Sequence, residues 1–80
     1  MYYVYILKSG KTGEYYKGLT SNVDERIKEH NSGKTQSTRH MRPLKLIHCQ
    51  EVETLAEARM LEKYFKSGTG REIIKELGLW

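Results

Sequence analysis

The chain has 80 residues, enough for one small domain over residues 1–80, and its 14 Lys and Arg against 10 Asp and Glu give a formal net charge of +4. A single cysteine excludes an intrachain disulfide, and no apolar stretch approaches the roughly 18–20 residues that span a bilayer. We therefore expect a soluble cytoplasmic protein with no membrane partner. The positive charge is explained about equally well by nucleic-acid binding and by a basic surface that only confers solubility.

Two strands are predicted at the start of the chain. The run YYVYIL (2–7) is apolar and aromatic, which is typical of a central strand covered on both faces, and EYYKGL (14–19) follows as a second strand. If the six-residue loop between them closes symmetrically, Tyr5 lies directly opposite Tyr16, with their Cβ atoms about 5 Å apart. Gly18 is unexpected in this strand, because glycine contributes no packing and costs conformational entropy.

A helix is predicted after the second strand. Ser21 and Asp24 have capping-box spacing, Ile27 lies on the narrow apolar edge, and Gly33 is a plausible stop. The following residues, 34–42, are polar and basic and predict a loop.

The second half of the chain predicts one strand and two helices. Residues 43–52 form the strand, and Thr54 and Glu57 repeat the capping-box spacing before a helix from 55 to about 66. The segment KSGTG breaks that helix, and a short last helix brings Trp80 over the core as a lid. The predicted order β-β-α-β-α-α indicates an α+β fold, a small three-stranded antiparallel sheet flanked by helices.

Two helical positions could carry chemistry. On the helix predicted from 55 to about 66, the apolar stripe consists of Leu55, Ala58, Leu61 and Phe65. Glu62 falls inside this stripe. A carboxylate there is costly unless it is paired or binds a metal ion. The helical wheel alone favours a buried ion pair with an arginine, or a carboxylate that escapes at the rim, by about two to one over a metal ligand. Arg26 and His30 share one face of the first helix and could address a phosphate, but their helical positions alone favour a solvated face.

Several common motifs are absent. The segments SGKT (32–35) and GKT (10–12) lack the upstream glycine of a P-loop. The three histidines and one cysteine lack zinc-site spacing, and no serine occupies a nucleophile elbow. The sequence therefore gives no support to a P-loop NTPase, a structural zinc site or a serine hydrolase.

Four segments occur in an informative order: YVY (3–5), YKG (16–18), GLTSNVDERIKEHNSG (18–33) and EARMLEKYFKSGTGR (57–71). Together they resemble the signatures of the GIY-YIG nuclease family, which includes an excision-repair nuclease and some homing endonucleases. The small stand-alone bacterial members are the most similar. The resemblance runs over nearly the whole chain and implies a divalent-metal-dependent DNA endonuclease that hydrolyses phosphodiester bonds. A structure-selective activity in DNA repair or processing is the narrower expectation.

The resemblance also implies roles for five residues. Glu62 holds one Mg²⁺ or Mn²⁺ ion, and no small-molecule cofactor is expected. Arg26 stabilises the charge that builds on the scissile phosphate, and His30 assists a proton relay or contacts the phosphate. Tyr5 and Tyr16 orient or deprotonate the attacking water, with Tyr5 the preferred general base.

The resemblance gives Gly18 a purpose, since it lets the backbone approach Tyr16 and the substrate phosphate. A phenol with an ordinary pKa of about 10 needs nearby positive charge to act as a base, and Arg26, the cation and Lys17 are the candidates. Strand alternation should point Lys17 away from Tyr16, toward solvent. The late asparagine of several family members has no counterpart after Asn31.

No separate DNA-binding domain is expected, so we expect weak, largely sequence-independent DNA binding. It would depend on nine basic residues: Lys17, Lys34, Arg39, Arg42, Lys45, Arg59, Lys63, Lys66 and Arg71. Two alternatives remain at this stage. One is a non-catalytic nucleic-acid-binding module that keeps the fold, and the other is a protein-interaction domain whose basic face meets an acidic partner.

Overall fold

One antiparallel sheet, with strand order β2-β1-β3, organises the chain in the computed structural model, which describes residues 1–77. The elements in chain order are β1 (Tyr2–Ser9), β2 (Tyr15–Thr20), α1 (Val23–Ser32), a 3₁₀ helix (Gln36–Met41), β3 (Leu44–Val52), α2 (Leu55–Phe65) and α3 (Gly68–Leu77). The predicted α+β fold and element order are confirmed. The predicted loop 34–42 is wrong in part, because most of it forms the 3₁₀ helix, and the predicted lid Trp80 lies outside the described residues.

β1 is the central strand and separates two cores. Val4 and Ile6 face α2 and α3, where they pack with Ala58, Phe65 and Ile74. Tyr5 and Leu7 face α1 and the 3₁₀ helix, where they pack with Ile27, Met41 and Leu44. Because β1 is covered on both faces, its apolar run is continuous instead of alternating.

The register of β1 and β2 differs from the prediction. Tyr5 lies opposite Gly18 and Leu7 opposite Tyr16, so the expected Tyr5–Tyr16 pairing is wrong by two residues. The last register pair is Lys8 with Tyr15, so the six residues between the paired positions are 9–14 and not the predicted 8–13. A shift of two residues leaves both tyrosines on one face of the sheet, because side chains alternate with a period of two.

The ends of α1 are defined by two residues. Asn22, and not the predicted Ser21, is the N-cap, and its side chain accepts the backbone N–H of Glu25 at 3.2 Å. Gly33 ends the helix with φ of 84°, as predicted. The predicted cap of α2 is also confirmed, since the Thr54 hydroxyl accepts the N–H of Glu57.

Asn31 connects the end of α1 to the beginning of β3. Its amide nitrogen donates to the carbonyl of Leu44 at 3.0 Å, and its amide oxygen accepts the N–H of Leu44 at 2.7 Å. This pair of bonds copies the pattern of a neighbouring strand and fixes the last turn of α1 over the sheet. In residues 1–77, no helix has both the length and the apolar character needed to cross a bilayer.

Candidate active site

A chain of hydrogen bonds lies buried between β1, α1 and the 3₁₀ helix. The hydroxyl of Tyr5 is 3.0 Å from Nε2 of His30, and Nδ1 of His30 is 2.8 Å from the hydroxyl of Thr38. Tyr5 is 1% exposed, and His30 and Thr38 are fully buried. Polar groups at this depth persist only when they are paired, so the three side chains form one unit.

Tyr16 completes the aromatic part of this cluster. Its ring meets the ring of His30 edge to face at 4.9 Å between centroids, and its centroid lies 6.3 Å from that of Tyr5. Tyr16 is half-buried, so it is the phenol with better access to solvent. This edge-to-face contact with Tyr16 fixes the plane of the imidazole, while the hydrogen bonds fix its rotation.

Gly18 makes room for Tyr5. A Cβ atom at Gly18 would lie 2.5 Å from the Tyr5 hydroxyl oxygen and 2.7 Å from its Cζ, well inside van der Waals contact. The expectation that this glycine serves an approach to Tyr16 is therefore corrected, because the two-residue register shift puts Tyr5 opposite it. Only a residue without a side chain leaves room for the phenol at this position of β2.

Arg26 lies beside the buried chain at the surface. Its guanidinium donates to the Glu29 carboxylate at 2.7 Å, and about 38% of its side chain is exposed. A polar interaction with the Tyr5 hydroxyl and the ion pair with Glu29 raise the pKa of Arg26, so it remains a cation. A cleft of about 290 Å³ opens next to it, lined by Leu19, Thr20, Ser21, Asn22, Glu25 and Glu29.

The protonation states in this cluster follow from burial. Burial raises the pKa of Tyr5 above 10, and the interaction with Arg26 only partly opposes that effect. Arg26 therefore lowers the pKa of Tyr5, as expected, but burial outweighs it and the pKa stays above its ordinary value. Burial and then the charge of Arg26 lower the pKa of His30, so its imidazole is neutral at pH 7. A neutral imidazole beside a phenol is an acceptor for the phenol proton.

Glu62 reaches this region from the other face of the sheet, on α2. About 24% of its side chain is exposed, and it forms an ion pair with Lys66 at 3.6 Å. It lies close enough to Tyr5 for its negative charge to raise the pKa of that phenol. The partner is thus a lysine and not the arginine expected, and Glu62 lies partly exposed at the rim. Because half of Lys66 is exposed, the pair contributes little to stability.

The donor set fits magnesium better than zinc. Within residues 1–77, no three His, Cys, Asp or Glu side chains form a metal-ligating group. Mg²⁺ commonly binds through one or two carboxylates, keeping several waters and taking oxygens from a substrate phosphate. The single, partly buried carboxylate of Glu62 meets that requirement, whereas zinc would need several protein ligands.

Three of the nine basic residues form one patch on the α2 side of the sheet. Burial lowers the pKa of Lys17, and the charges of Arg71 and Lys66 lower it further, so the three cations are close together. Lys17 points away from Tyr16, as predicted, but it is half-buried and not free in solvent. The patch adjoins Glu62 through its ion pair with Lys66.

The other basic residues are dispersed. The Nε groups of Arg39 and Arg42 donate to the backbone carbonyls of Gly33 and Arg39, which fixes both side chains along the 3₁₀ helix. Lys45 lies on β3, at the opposite edge of the sheet from β2. The remaining three are exposed, one just after α1 and two on α2: Lys34, Arg59 and Lys63.

Sequence reasoning missed two members of the cluster. The spacing of Arg26 and Glu29 on one helix, i and i+3, could have predicted their ion pair. Thr38 lies in the segment predicted as a loop, so no helical face was assigned to it. The one available signal was its spacing from Met41, because residues three apart share a face of a 3₁₀ helix.

Several known proteins are similar to this chain over most of its length. The UPF0213 protein of Syntrophus aciditrophicus is 43% identical over 67 residues, which cover 80% of this chain and 75% of that protein. The UPF0213 protein YazA of Bacillus subtilis is 36% identical over 77 residues, covering 95% and 75%. The solution NMR structure of the UPF0213 protein BH0048 from Bacillus halodurans has 38% identity and a TM-score of 0.56, covering 96% of this chain and 85% of that one.

The family profile of the GIY-YIG catalytic domain matches residues 1–75. That match spans β1 through most of α3 and includes Tyr5, Tyr16, Arg26, His30 and Glu62. The chain therefore belongs to the GIY-YIG family, whose fold is that of nucleases.

Proposed function

We propose that the protein is a divalent-metal-dependent endonuclease that hydrolyses phosphodiester bonds in DNA. The observation that carries this proposal is the buried 3.0 Å contact between the Tyr5 hydroxyl and His30 Nε2, with Arg26 next to it at the edge of a cleft. A phenol, a neutral imidazole and a guanidinium supply a proton donor, a proton acceptor and a fixed positive charge. Phosphodiester hydrolysis needs these three functions.

The proton from the attacking water passes through Tyr5 in this proposal. The Tyr5 proton moves to His30 Nε2 while the phenol oxygen takes a proton from water, and the resulting hydroxide attacks phosphorus. Because the pKa of Tyr5 is raised, a free phenolate is disfavoured, and transfer to the adjacent imidazole avoids that state. Arg26 stabilises the negative charge that develops on the phosphate.

Exposure separates the roles of the two phenols. Tyr5 has the defined proton acceptor but is only 1% exposed, so water must reach its hydroxyl from the side of Arg26. Tyr16 is half-buried and has better access to water, but it meets the imidazole of His30 through its ring and not through its hydroxyl. We therefore assign the proton transfer to Tyr5 and the orientation of water to Tyr16.

Glu62 is the proposed ligand of one Mg²⁺ ion, with Mn²⁺ as a substitute. When bound, the ion would act as a Lewis acid on a phosphate oxygen. Its charge would displace Lys66 from Glu62, because their ion pair is long, at 3.6 Å, and the Lys66 side chain is half exposed.

Lys17, Lys66 and Arg71 are the proposed main contacts for DNA phosphates, since three adjacent cations disfavour one another until an anion binds. Contacts to phosphates carry no sequence information, which predicts weak binding with little sequence preference. A structure-selective role in repair or processing belongs to the same proposal, because recognition would depend on the path of the phosphates.

The test is nicking of supercoiled plasmid and of branched synthetic DNA, with Mg²⁺, with Mn²⁺ and with a chelator. Glu62→Gln and Arg26→Ala should each lower the rate by on the order of 10²-fold or more. Glu53→Gln is the matched carboxylate control, because Glu53 is exposed and precedes the N-cap of α2. Equal activity in Glu62→Gln and Glu53→Gln would contradict the metal assignment.

The second candidate is a nucleic-acid-binding module without catalysis. The missing late asparagine and the poor water access of Tyr5 favour it. It predicts that the wild-type protein and both site variants bind the branched DNA in a gel-shift assay and that none of them cleaves it. Cleavage that depends on metal and on Glu62 excludes this candidate.

A further inference from the structure

Thr38 contacts the imidazole on the side opposite Tyr5. Its hydroxyl is 2.8 Å from His30 Nδ1, and both residues are fully buried. A neutral imidazole carries one proton, on either Nδ1 or Nε2, and the partners of the two nitrogens decide which. That choice sets which group donates and which accepts in both hydrogen bonds, from Thr38 through His30 to Tyr5.

The contacts at the Thr38 end are compatible with a proton on Nδ1. The Thr38 hydroxyl has one proton, which it can direct toward the backbone carbonyl of Thr35, a long contact at 3.5 Å. Its oxygen is then free to accept a hydrogen bond, and only a protonated Nδ1 can donate one at 2.8 Å.

The contacts at the Tyr5 end favour the same arrangement. The Tyr5 hydroxyl is buried, so its proton needs an acceptor inside the protein. Arg26 is a donor under all conditions and cannot accept that proton. Nε2 of His30, 3.0 Å away, is the acceptor that the buried cluster provides.

We propose that Thr38 is a positioning residue that holds His30 with its proton on Nδ1 and thereby makes Nε2 the acceptor for the Tyr5 proton. The tautomer itself follows from the fold, whereas its catalytic value rests on the proposed nuclease function. If His30 accepts the Tyr5 proton, the Thr38 oxygen stabilises the imidazolium by keeping the hydrogen bond from Nδ1.

The tautomer can be measured in the absence of DNA and metal. Two-bond ¹H–¹⁵N correlation spectra of the histidine-labelled protein, recorded near neutral pH, distinguish protonated from unprotonated ring nitrogens. The wild-type protein should show a protonated Nδ1 and an unprotonated Nε2. Thr38→Val, which keeps the shape but removes the hydroxyl, leaves a buried Nδ1–H without its acceptor and should raise the fraction of protein with the proton on Nε2, against the preference that Tyr5 still exerts. Thr38→Ser should restore the wild-type pattern. Ser37→Ala is the control, because that hydroxyl is exposed on the same 3₁₀ helix.

A protonated Nε2 in the wild-type protein would overturn the proposal, and that result needs no variant to fold. An unchanged protonation pattern in a folded Thr38→Val protein would also overturn the proposal. If the nuclease assay is positive, Thr38→Val should also cleave on the order of 10²-fold more slowly with unchanged DNA affinity, since acid–base steps contribute about that much or more. Absence of nuclease activity would refute the proposed function and leave the tautomer result standing.

Discussion

Replacement of Gly18 by alanine tests the close approach between β2 and the Tyr5 phenol. The added Cβ atom would lie 2.5 Å from the Tyr5 hydroxyl oxygen, and an ordinary contact begins at 3.4 Å. The phenol must therefore move by about 0.9 Å, although its ring is 1% exposed and packed against Leu7 and Met41. Such overpacking costs about 1–3 kcal/mol, and weakening the hydrogen bond to His30 costs about 1 kcal/mol more.

We therefore expect Gly18→Ala to lower the free energy of unfolding by about 2–4 kcal/mol. With a denaturant slope of about 1 kcal/mol per molar for a small domain, the urea midpoint should fall by about 2–4 M. In an open strand position, the same change would stabilise the protein by about 0.5–1 kcal/mol, so the predicted sign is itself diagnostic. Gly68→Ala is the control, because nothing lies within 4 Å of a Cβ atom there.

A double-mutant cycle with Tyr5→Phe identifies the atom responsible. Removing the hydroxyl takes away the nearest atom and leaves Cζ at 2.7 Å, so Gly18→Ala should cost about 1 kcal/mol less in the Tyr5→Phe background. Urea unfolding followed by circular dichroism measures all four proteins. Equal costs in both backgrounds, or a stabilising Gly18→Ala, would refute the reasoning.

Two further predictions concern His30 and Asn31. Because burial lowers the pKa of His30 below its value of about 6.5 in the unfolded chain, its contribution to stability is complete above pH 6.5 and is lost as the pH falls through the lower, folded-state pKa. Urea midpoints measured from pH 8 to pH 5 should therefore fall less steeply for His30→Gln than for the wild-type protein, and parallel curves would contradict this. Asn31→Ala should cost about 1–3 kcal/mol, because it leaves both backbone groups of Leu44 without their partners. The same unfolding assay checks it against the exposed Lys28→Ala, and equal midpoints would show that the bonds to Leu44 contribute nothing.

The fold was largely predictable because its signals are local. The continuous apolar run of β1, the glycine at the end of α1 and the threonine cap of α2 each act within a few residues. The predicted helix boundaries differ from the structure by only a residue or so. The cap of α1 was misplaced by one residue because Ser21 and Asn22 are both good cap residues, and only tertiary contacts choose between them.

The register of β1 and β2 could not be derived from loop length alone. A six-residue loop is compatible with Tyr5 opposite either Tyr16 or Gly18, depending on where β1 ends. The volume of the Tyr5 ring decides between them, since it requires a partner without a side chain. Gly18 was recognised as anomalous, but a strand pattern cannot specify which distant side chain fills the space that a glycine leaves.

The buried hydrogen-bonded side chains explain why the sequence predicted the site only through its family resemblance. Among residues 1–77, the buried polar side chains are Ser9, His30 and Thr38, and two of these join Tyr5 in one hydrogen-bonded unit. Deleting one partner leaves another polar group buried without a partner, which costs about 1–3 kcal/mol, while all three together are satisfied. A helical wheel or a strand pattern treats each of these residues separately and assigns each one to a solvated face, a loop or a core. Their stability in the interior comes from one another, across β1, α1 and the 3₁₀ helix, and only the fold brings these three elements together.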